Sequence, residues 1–285
     1  MKHNTFLITG AGGQLADTFT KVLKDNQRGV IAKDIDSLDI TDKKALIQVL
    51  DKGKPDVLIN CAAYTFVDEA EKRPDIAYAV NADAVKNMAQ LCRERNIFFI
   101  HFGTDYVFDG EKKSPYSEQD EPNPVNVYGK SKWQGEEALL DSGLENFLIL
   151  RLSWVFGPGQ SNFFHKLEQW SKNNDTLKIV DDEISVPTYT EDVVSVTLKA
   201  LAANLTGLYH LVNSGQCSRY DLAKYYFECK GEKKSILPTS SESFSLPAKR
   251  PLYSVLANNK IEKALNIKIP TWQDAVKRFI EKEGR

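Results

Sequence analysis

Residues 8–16 read ITGAGGQLA, and this short stretch limits the fold more than any other. It closes an apolar run, TFLIT (5–9), and opens a segment of helical periodicity (14–25). Gly10, Gly13 and Ala16 fit a G-x-x-G-x-x-[GA] turn. Gly10 permits the tight bend, Gly13 lets the backbone approach a pyrophosphate, and Ala16 keeps the helix close to the strand. A phosphate on such a turn meets the free N–H groups of the helix N-terminus. Geometry alone also asks for glycines at a strand-to-helix junction, so the rest of the chain has to carry the reading.

The alternation continues. GVIA (29–32), DVLIN (56–60), IFFIHF (97–102) and NFLILRL (146–152) read as buried strands, and 14–25, 42–52, 75–95 and 130–142 read as helices. Strands and helices in this order predict an α/β fold, a Rossmann-type doubly wound parallel sheet. After about residue 155 the pattern loosens. SNFFHKLEQWSK (161–172), TEDVVSVTLKALAAN (190–204), SRYDLAKYYFEC (218–229) and TWQDAVKRFIEK (271–282) look helical, with short strands at LKIV (177–180) and GLYHLV (207–212). The expected division is a dinucleotide-binding domain over 1–155 and a smaller C-terminal α/β substrate lobe over 156–285, some of whose segments return to the main domain. The longest segment without a pattern, DGEKKSPYSEQDEPNPV (109–125), is expected to be a loop covering a site.

Composition narrows the function classes. A hydrophobic fraction of 42% with 27% charged residues is that of an ordinary globular protein, and a net charge of −2 without a basic block argues against a nucleic-acid surface. The start of the chain lacks the features of a signal peptide, and no run reaches 18 apolar residues, so a cytoplasmic protein with no membrane partner is expected. Cys61, Cys92, Cys217 and Cys229 show no C-x-x-C spacing and are expected as free thiols. His3, His101, His165 and His210 lack ligand spacing, so no metal site is expected, although an Mg²⁺ bridging acidic residues of two copies, in a homodimer, stays open.

The chemistry lies at HFGTDYVFDG (101–110), ending the fourth strand, and NVYGKSKWQGE (126–136). In an open parallel sheet, ligands bind at the carboxyl ends of the strands. Tyr128 and Lys132 stand four residues apart on a predicted helix and so share a face. A phenol near pKa 10 and an ammonium near 10.4 are poor acid–base groups alone. Held together, the cation stabilises the phenolate, and the tyrosine is expected to titrate closer to neutrality. A Y-x-x-x-K spacing also arises by chance on polar helices. Joined by Thr104, however, the pair makes a hydroxyl–phenol–ammonium set beside a dinucleotide turn, the arrangement of a carbonyl reductase. Asp34, 24 residues after Gly10, stands where an acid bonds the adenosine ribose and favours NADH. Its neighbour Lys33 can meet a 2′-phosphate, so NADPH stays open too. Asp39 reads equally as the cap of the second helix, a role also open to Thr41, or as a contact to the adenine.

The motifs GAGGQLA (10–16), LDIT (38–41), NCAAYTFVDEAE (60–71), AVNADA (79–84), TDYVFDG (104–110), YGKSKWQGE (128–136), RLSWVFG (151–157), VPTY (186–189) and RPLYSVL (250–256) together span nearly the whole chain. In this combination the sequence resembles the extended short-chain dehydrogenase/reductase family and, within it, the dTDP-4-dehydrorhamnose reductases. The resemblance implies a Rossmann domain with a substrate lobe. It further implies NADPH- or NADH-dependent reduction of the 4-keto group of dTDP-4-dehydro-6-deoxy-L-mannose to dTDP-L-rhamnose, for surface or spore polysaccharide. It would make Tyr128 the proton donor to the C4 oxygen and Lys132 the group that depresses its pKa and holds the nicotinamide ribose. Thr104 would bond the tyrosine or the reacting oxygen. Gly13, Gln14 and Leu15 would cradle the pyrophosphate, Asp39 and Ile40 would lie near the adenine, and Ala62, Ala63 and Tyr64 would line the cofactor. Asp105 and Trp154 would face the sugar nucleotide, and Arg250 would reach its diphosphate.

The chain departs from the family pattern at Gly103, where serine is common, at Glu183, Ser185 and Val186 in DDEISVPTY (181–189), and at Tyr253. None of these touches Thr104, Tyr128 or Lys132. Two other readings use the same fold. A sugar-nucleotide epimerase or dehydratase is opposed by the triplet Thr104–Asp105–Tyr106, which lacks the glutamate of the dehydratases. A non-catalytic dinucleotide-binding regulatory subunit is opposed by the intact catalytic set.

Overall fold

A computed structural model of the chain describes residues 3–159 and 162–283, so Ser161, in the predicted helix at 161–172, lies outside the described residues. In the first half the elements run β1 (Thr5–Thr9), α1 (Gln14–Asp25), β2 (Gly29–Lys33), α2 (Lys43–Gly53), β3 (Val57–Asn60), α3 (Val67–Lys72), α4 (Pro74–Tyr78), α5 (Ala84–Arg95), β4 (Phe98–Thr104), α6 (Val127–Leu140) and β5 (Phe147–Leu152). The second half adds β6 (Val155–Phe156), α7 (Phe163–Asn173), β7 (Thr176–Val180), β8 (Ile184–Ser185), β9 (Thr188–Tyr189), α8 (Thr190–Ala202), β10 (Gly207–His210), β11 (Cys217–Ser218), α9 (Arg219–Cys229), β12 (Ser235–Thr239), α10 (Asn259–Leu265) and α11 (Trp272–Glu283).

Six strands form one sheet in the order β10-β5-β4-β3-β1-β2, and every pairing in it is parallel. Strands buried on both faces read as unbroken apolar runs, which is why FLI, VLI and FLILRL needed no alternation to be recognised. One face packs Phe19 and Leu23 of α1 and Val193, Val194 and Leu201 of α8 against Ile8, Ile59 and Leu150. The other packs Leu46 and Leu50 of α2, Val85 and Met88 of α5 and Leu139 of α6 against Leu7, Leu58 and Phe99. Both α8 and β10 come from the second half of the chain, so the large sheet and its cover are not finished by residue 155. A separate aromatic core joins Phe156, Phe164, Tyr189, Tyr226 and Phe279 outside the large sheet.

Three local outcomes differ from expectation. The predicted helix over 75–95 is continuous only through a π-turn at Ala79–Asp83, which carries Asn81 inward to bond the backbone of Tyr64 and the Ser131 hydroxyl. The cap of α2 is neither Asp39 nor Thr41 but Asp42, whose carboxylate accepts from the N–H groups of Lys44 and Ala45. Asp39 instead accepts from the backbone and hydroxyl of Thr41, one turn too early to cap. The loop over 109–125 is without regular structure, but it lines no part of the cleft at the strand ends and is instead tied down through Tyr116, which bridges to Leu256.

Candidate active site

The sheet order reverses between β1 and β3, and a cavity of about 750 Å³ opens at the carboxyl ends of the strands there. Its lining runs from Gly10, Gly13, Gln14 and Leu15, past Asp34, Asp39 and Ile40, along Ala62, Ala63 and Tyr64, to Thr104, Asp105, Tyr128, Lys132 and Trp154. Every candidate catalytic, cofactor or substrate residue named from the sequence lies on this one cleft except Lys33 and Arg250.

At the phosphate end, Gly10 has φ +75°, and a Cβ there would come within 2.7 Å of the Ala62 nitrogen, so only glycine fits. Gly13 is the N-cap of α1 and offers no side chain to its N–H groups, which leaves the helix N-terminus open to an anion. These features fit a dinucleotide pyrophosphate. Asp34, at the end of β2, accepts from the backbone and hydroxyl of Ser37, which hold its carboxyl below the usual range and keep it charged.

At the chemical end, Asn126 caps α6 by accepting from the Gly129 N–H, which starts the helix so that Tyr128 and Lys132 face the cleft. Gly129 permits a close approach to the turn after β4, since a Cβ would lie 2.2 Å from the Tyr106 carbonyl oxygen. Tyr128 packs edge-on against Tyr106, ring centroids 5.7 Å apart. Burial raises the Tyr128 phenol to about 12, opposed by a hydrogen bond with Thr104. Lys132 is buried, and burial lowers its ammonium to about 8, opposed by Glu136 and Cys61. Its Nζ donates to the Phe102 carbonyl oxygen at 2.6 Å and lies 3.4 Å from His101 Nε2. The expectation of a tyrosine titrating nearer neutrality is thus reversed in this structure: burial of the phenol outweighs the stabilisation of its anion, and the lysine is the group brought towards neutral pH.

Asp105 is buried beneath Thr104 and accepts from three hydroxyls, those of Thr104 (3.2 Å), Ser185 (3.0 Å) and Ser254 (2.5 Å). Burial raises its carboxyl to about 6 despite these bonds and the nearby Arg219 charge. Trp154 adopts φ +39°, a left-handed conformation costly for a bulky residue and most often retained where a site needs it. The Arg219 guanidinium lies 3.8 Å from the centroid of the Trp154 ring. Arg219 has no carboxylate within ion-pairing distance among the described residues, whereas Arg250 is gripped by Asp68 at both outer nitrogens (3.1 and 2.6 Å). Glu183 is buried within the field of both arginines, its carboxyl raised by burial. Gly103 is also accounted for: a Cβ there would lie 2.1 Å from Glu136 Oε1. Sequence reasoning missed Arg219, Ser254 and His101. Only Ser185 left a signal, as a departure in the 181–189 segment.

Among the described residues no group of three or more His, Cys, Asp and Glu side chains can hold a metal ion, and no helix is long and apolar enough to cross a membrane.

Residues 4–284 match the family described as the RmlD substrate binding domain. The chain is 39% identical to a dTDP-4-dehydrorhamnose reductase of Aggregatibacter actinomycetemcomitans, over 96% of this chain and 97% of that one. It is 36% identical to the spore coat polysaccharide biosynthesis protein SpsK of Bacillus subtilis, over 98% and 97%. The fold superposes with TM-score 0.94 on the crystal structure of a Bacillus anthracis dTDP-4-dehydrorhamnose reductase in complex with NADP, 34% identical, covering 99% of this chain and all of that one. With a family match over nearly its full length and relatives well above 30% identity, the chain belongs to the RmlD substrate binding domain family.

Proposed function

We propose that the chain is an NAD(P)H-dependent reductase of a dTDP-linked 4-keto-6-deoxyhexose, forming dTDP-L-rhamnose from dTDP-4-dehydro-6-deoxy-L-mannose. The observation that carries this reading is the meeting of Thr104, Tyr128 and Lys132 at one end of a cleft whose other end is a phosphate-binding turn. Gly10, Gly13 and Asp34 would hold the reduced dinucleotide, which when bound would supply the hydride. The chain's own part is to hold and move a proton. With its pKa at about 12, Tyr128 stays protonated at neutral pH, which is the state an acid needs, and giving a proton to an alkoxide forming at C4 is downhill for a phenol. Lys132, charged below about 8, stabilises the phenolate left behind. Residues 1–155 supply most of the cofactor cleft, while Ser185 and Ser254 of the later half hold Asp105 from behind and Arg219 stands over Trp154.

The direct test is NADPH and NADH oxidation with dTDP-4-dehydro-6-deoxy-L-mannose, identifying the product by NMR. Turnover to dTDP-L-rhamnose is expected. Cofactor binding without turnover of any 4-keto sugar nucleotide would favour the regulatory reading instead.

Two further results are expected. Lys132 must be charged and Asp105 ionised for activity, so kcat/KM should fall as pH rises through about 8 and as it drops through about 6. The sign for Asp105 follows from its acceptor role: protonating it removes the anchor of the Thr104 hydroxyl. Asp105→Asn should lower activity and erase the acid limb; a limb that persists in this variant belongs to another group. Arg219, rather than Arg250, is proposed to meet the substrate diphosphate. Arg219→Ala should raise KM for the sugar nucleotide roughly ten- to hundredfold, as for a lost hydrogen bond to a charged group, with kcat and cofactor affinity little changed. Arg250→Ala should move KM less, and the opposite ranking of the two variants would return the diphosphate to Arg250.

A further inference from the structure

We infer that His101 is a positioning residue for Lys132, at the end of a buried chain Thr9–Asn60–His101 that favours the lysine's uncharged form. The inference rests on the roles given to Tyr128 and Lys132 above, and goes beyond them in assigning a part to three residues that the cleft does not expose.

Thr9, Asn60 and His101 are register partners on β1, β3 and β4, so their side chains stand on the same face of three adjacent strands. All three are buried. Polar side chains in such a place are costly unless each is bonded. Here the bonds form one line. The Ala62 N–H approaches Thr9 Oγ1 at 3.5 Å, the Thr9 hydroxyl donates to Asn60 Oδ1 at 2.6 Å, and the Asn60 amide nitrogen lies 3.1 Å from His101 Nδ1. The direction of the line fixes the tautomer. With Asn60 Oδ1 accepting from Thr9, its NH₂ donates to Nδ1, and a neutral imidazole then carries its proton on Nε2. Burial, together with the Lys132 charge, keeps the ring neutral. That Nε2–H faces Lys132 Nζ across 3.4 Å. An ammonium has no lone pair to accept it, whereas an amine has, so the chain pushes Lys132 towards deprotonation. The Phe102 carbonyl and the Glu136 charge pull the other way. The remaining titratable neighbours are Cys61, which faces Lys132 from the end of β3, and Tyr128 on α6, which itself faces Asp105 and Glu136. The result is a lysine poised to change protonation state in the working range.

The test is the titration of Lys132 in protein carrying ¹³Cε-lysine, followed by NMR without substrate, with Lys132→Met assigning the resonance. Wild type should titrate near about 8. His101→Phe removes the donor, and Asn60→Leu frees the imidazole to carry its proton on Nδ1 and accept from the ammonium. Both should titrate about one pH unit or more higher, a shift within the range that neighbouring groups impose. The alkaline limb of kcat/KM should move with them, while KM for the sugar nucleotide at neutral pH stays. Thr9→Ser keeps the hydroxyl and should titrate as wild type. If His101→Phe does not fold, Asn60→Leu decides alone, because it retains the ring. Wild-type titration in both variants would overturn the inference. Because this readout needs no turnover, it stands or falls separately from the proposed reaction.

Discussion

Tyr128→Phe is expected to cut turnover by roughly 10²–10⁴, the range for loss of a general acid, while leaving NADPH affinity nearly unchanged. The phenol is the group that faces the cleft between Thr104 and Lys132, and the ring itself packs on Tyr106, a contact phenylalanine preserves. The loss should therefore appear in kcat. Removing a hydroxyl from a partly buried position leaves the hydrogen bond from Thr104 to Asp105 in place, so stability should change little. Stopped-flow measurement of hydride transfer with NADPH, alongside a fluorescence titration of cofactor binding, separates the two effects. A variant that turns over like wild type would remove Tyr128 from the proton path and leave the cleft without its acid.

The second large effect concerns folding. Glu136 and Arg151 form a buried ion pair, with Arg151 Nε and Nη2 at 2.9 and 2.7 Å from one carboxylate oxygen, beneath the active-site end of β4. Arg151 also lies over the rings of Phe108 and Trp133. Glu136→Ala would leave a guanidinium buried without its counter-charge, at a cost of about 3–5 kcal/mol. Urea unfolding should show a lower midpoint with the slope unchanged. A double variant, Glu136→Leu with Arg151→Met, should recover most of that loss, because it removes both charges and fills the space with apolar volume. If the single variant loses less than about 1 kcal/mol, the pair is solvated in a way its burial does not suggest.

The sheet and the catalytic pair were legible in the sequence for a physical reason: both are short-range patterns. A short unbroken apolar run between turn residues reads as a buried strand, and β1 and α1 match their predicted limits residue for residue. GVIA, however, became β2 at the sheet edge with no residue buried, because position in the sheet is set by distant partners. Tyr128 and Lys132 needed only the helical repeat. What the sequence hid is held together over long separations. Asp105 gets two of its three hydroxyl partners from residues 80 and 149 positions away, and Arg219 reaches Trp154 across the lobe. The π-turn at 79–83 leaves no mark in a segment that is helical on either side, and β12 contains Pro238, which argues against a strand until an edge position is known. The reversed phenol shift has the same origin, since spacing shows which groups are neighbours but not how much water they have lost.

The position of β10 beside β5 has a consequence during synthesis. Strand β5, FLILRL, ends at Leu152, and its outer partner comes only with Gly207–His210. At ~5–20 residues per second the ribosome takes several seconds to supply it. For that interval the nascent protein carries an apolar strand with one unpaired edge, a template for joining another chain. A chaperone that shields this edge would raise the yield of active enzyme more than one acting on the finished chain.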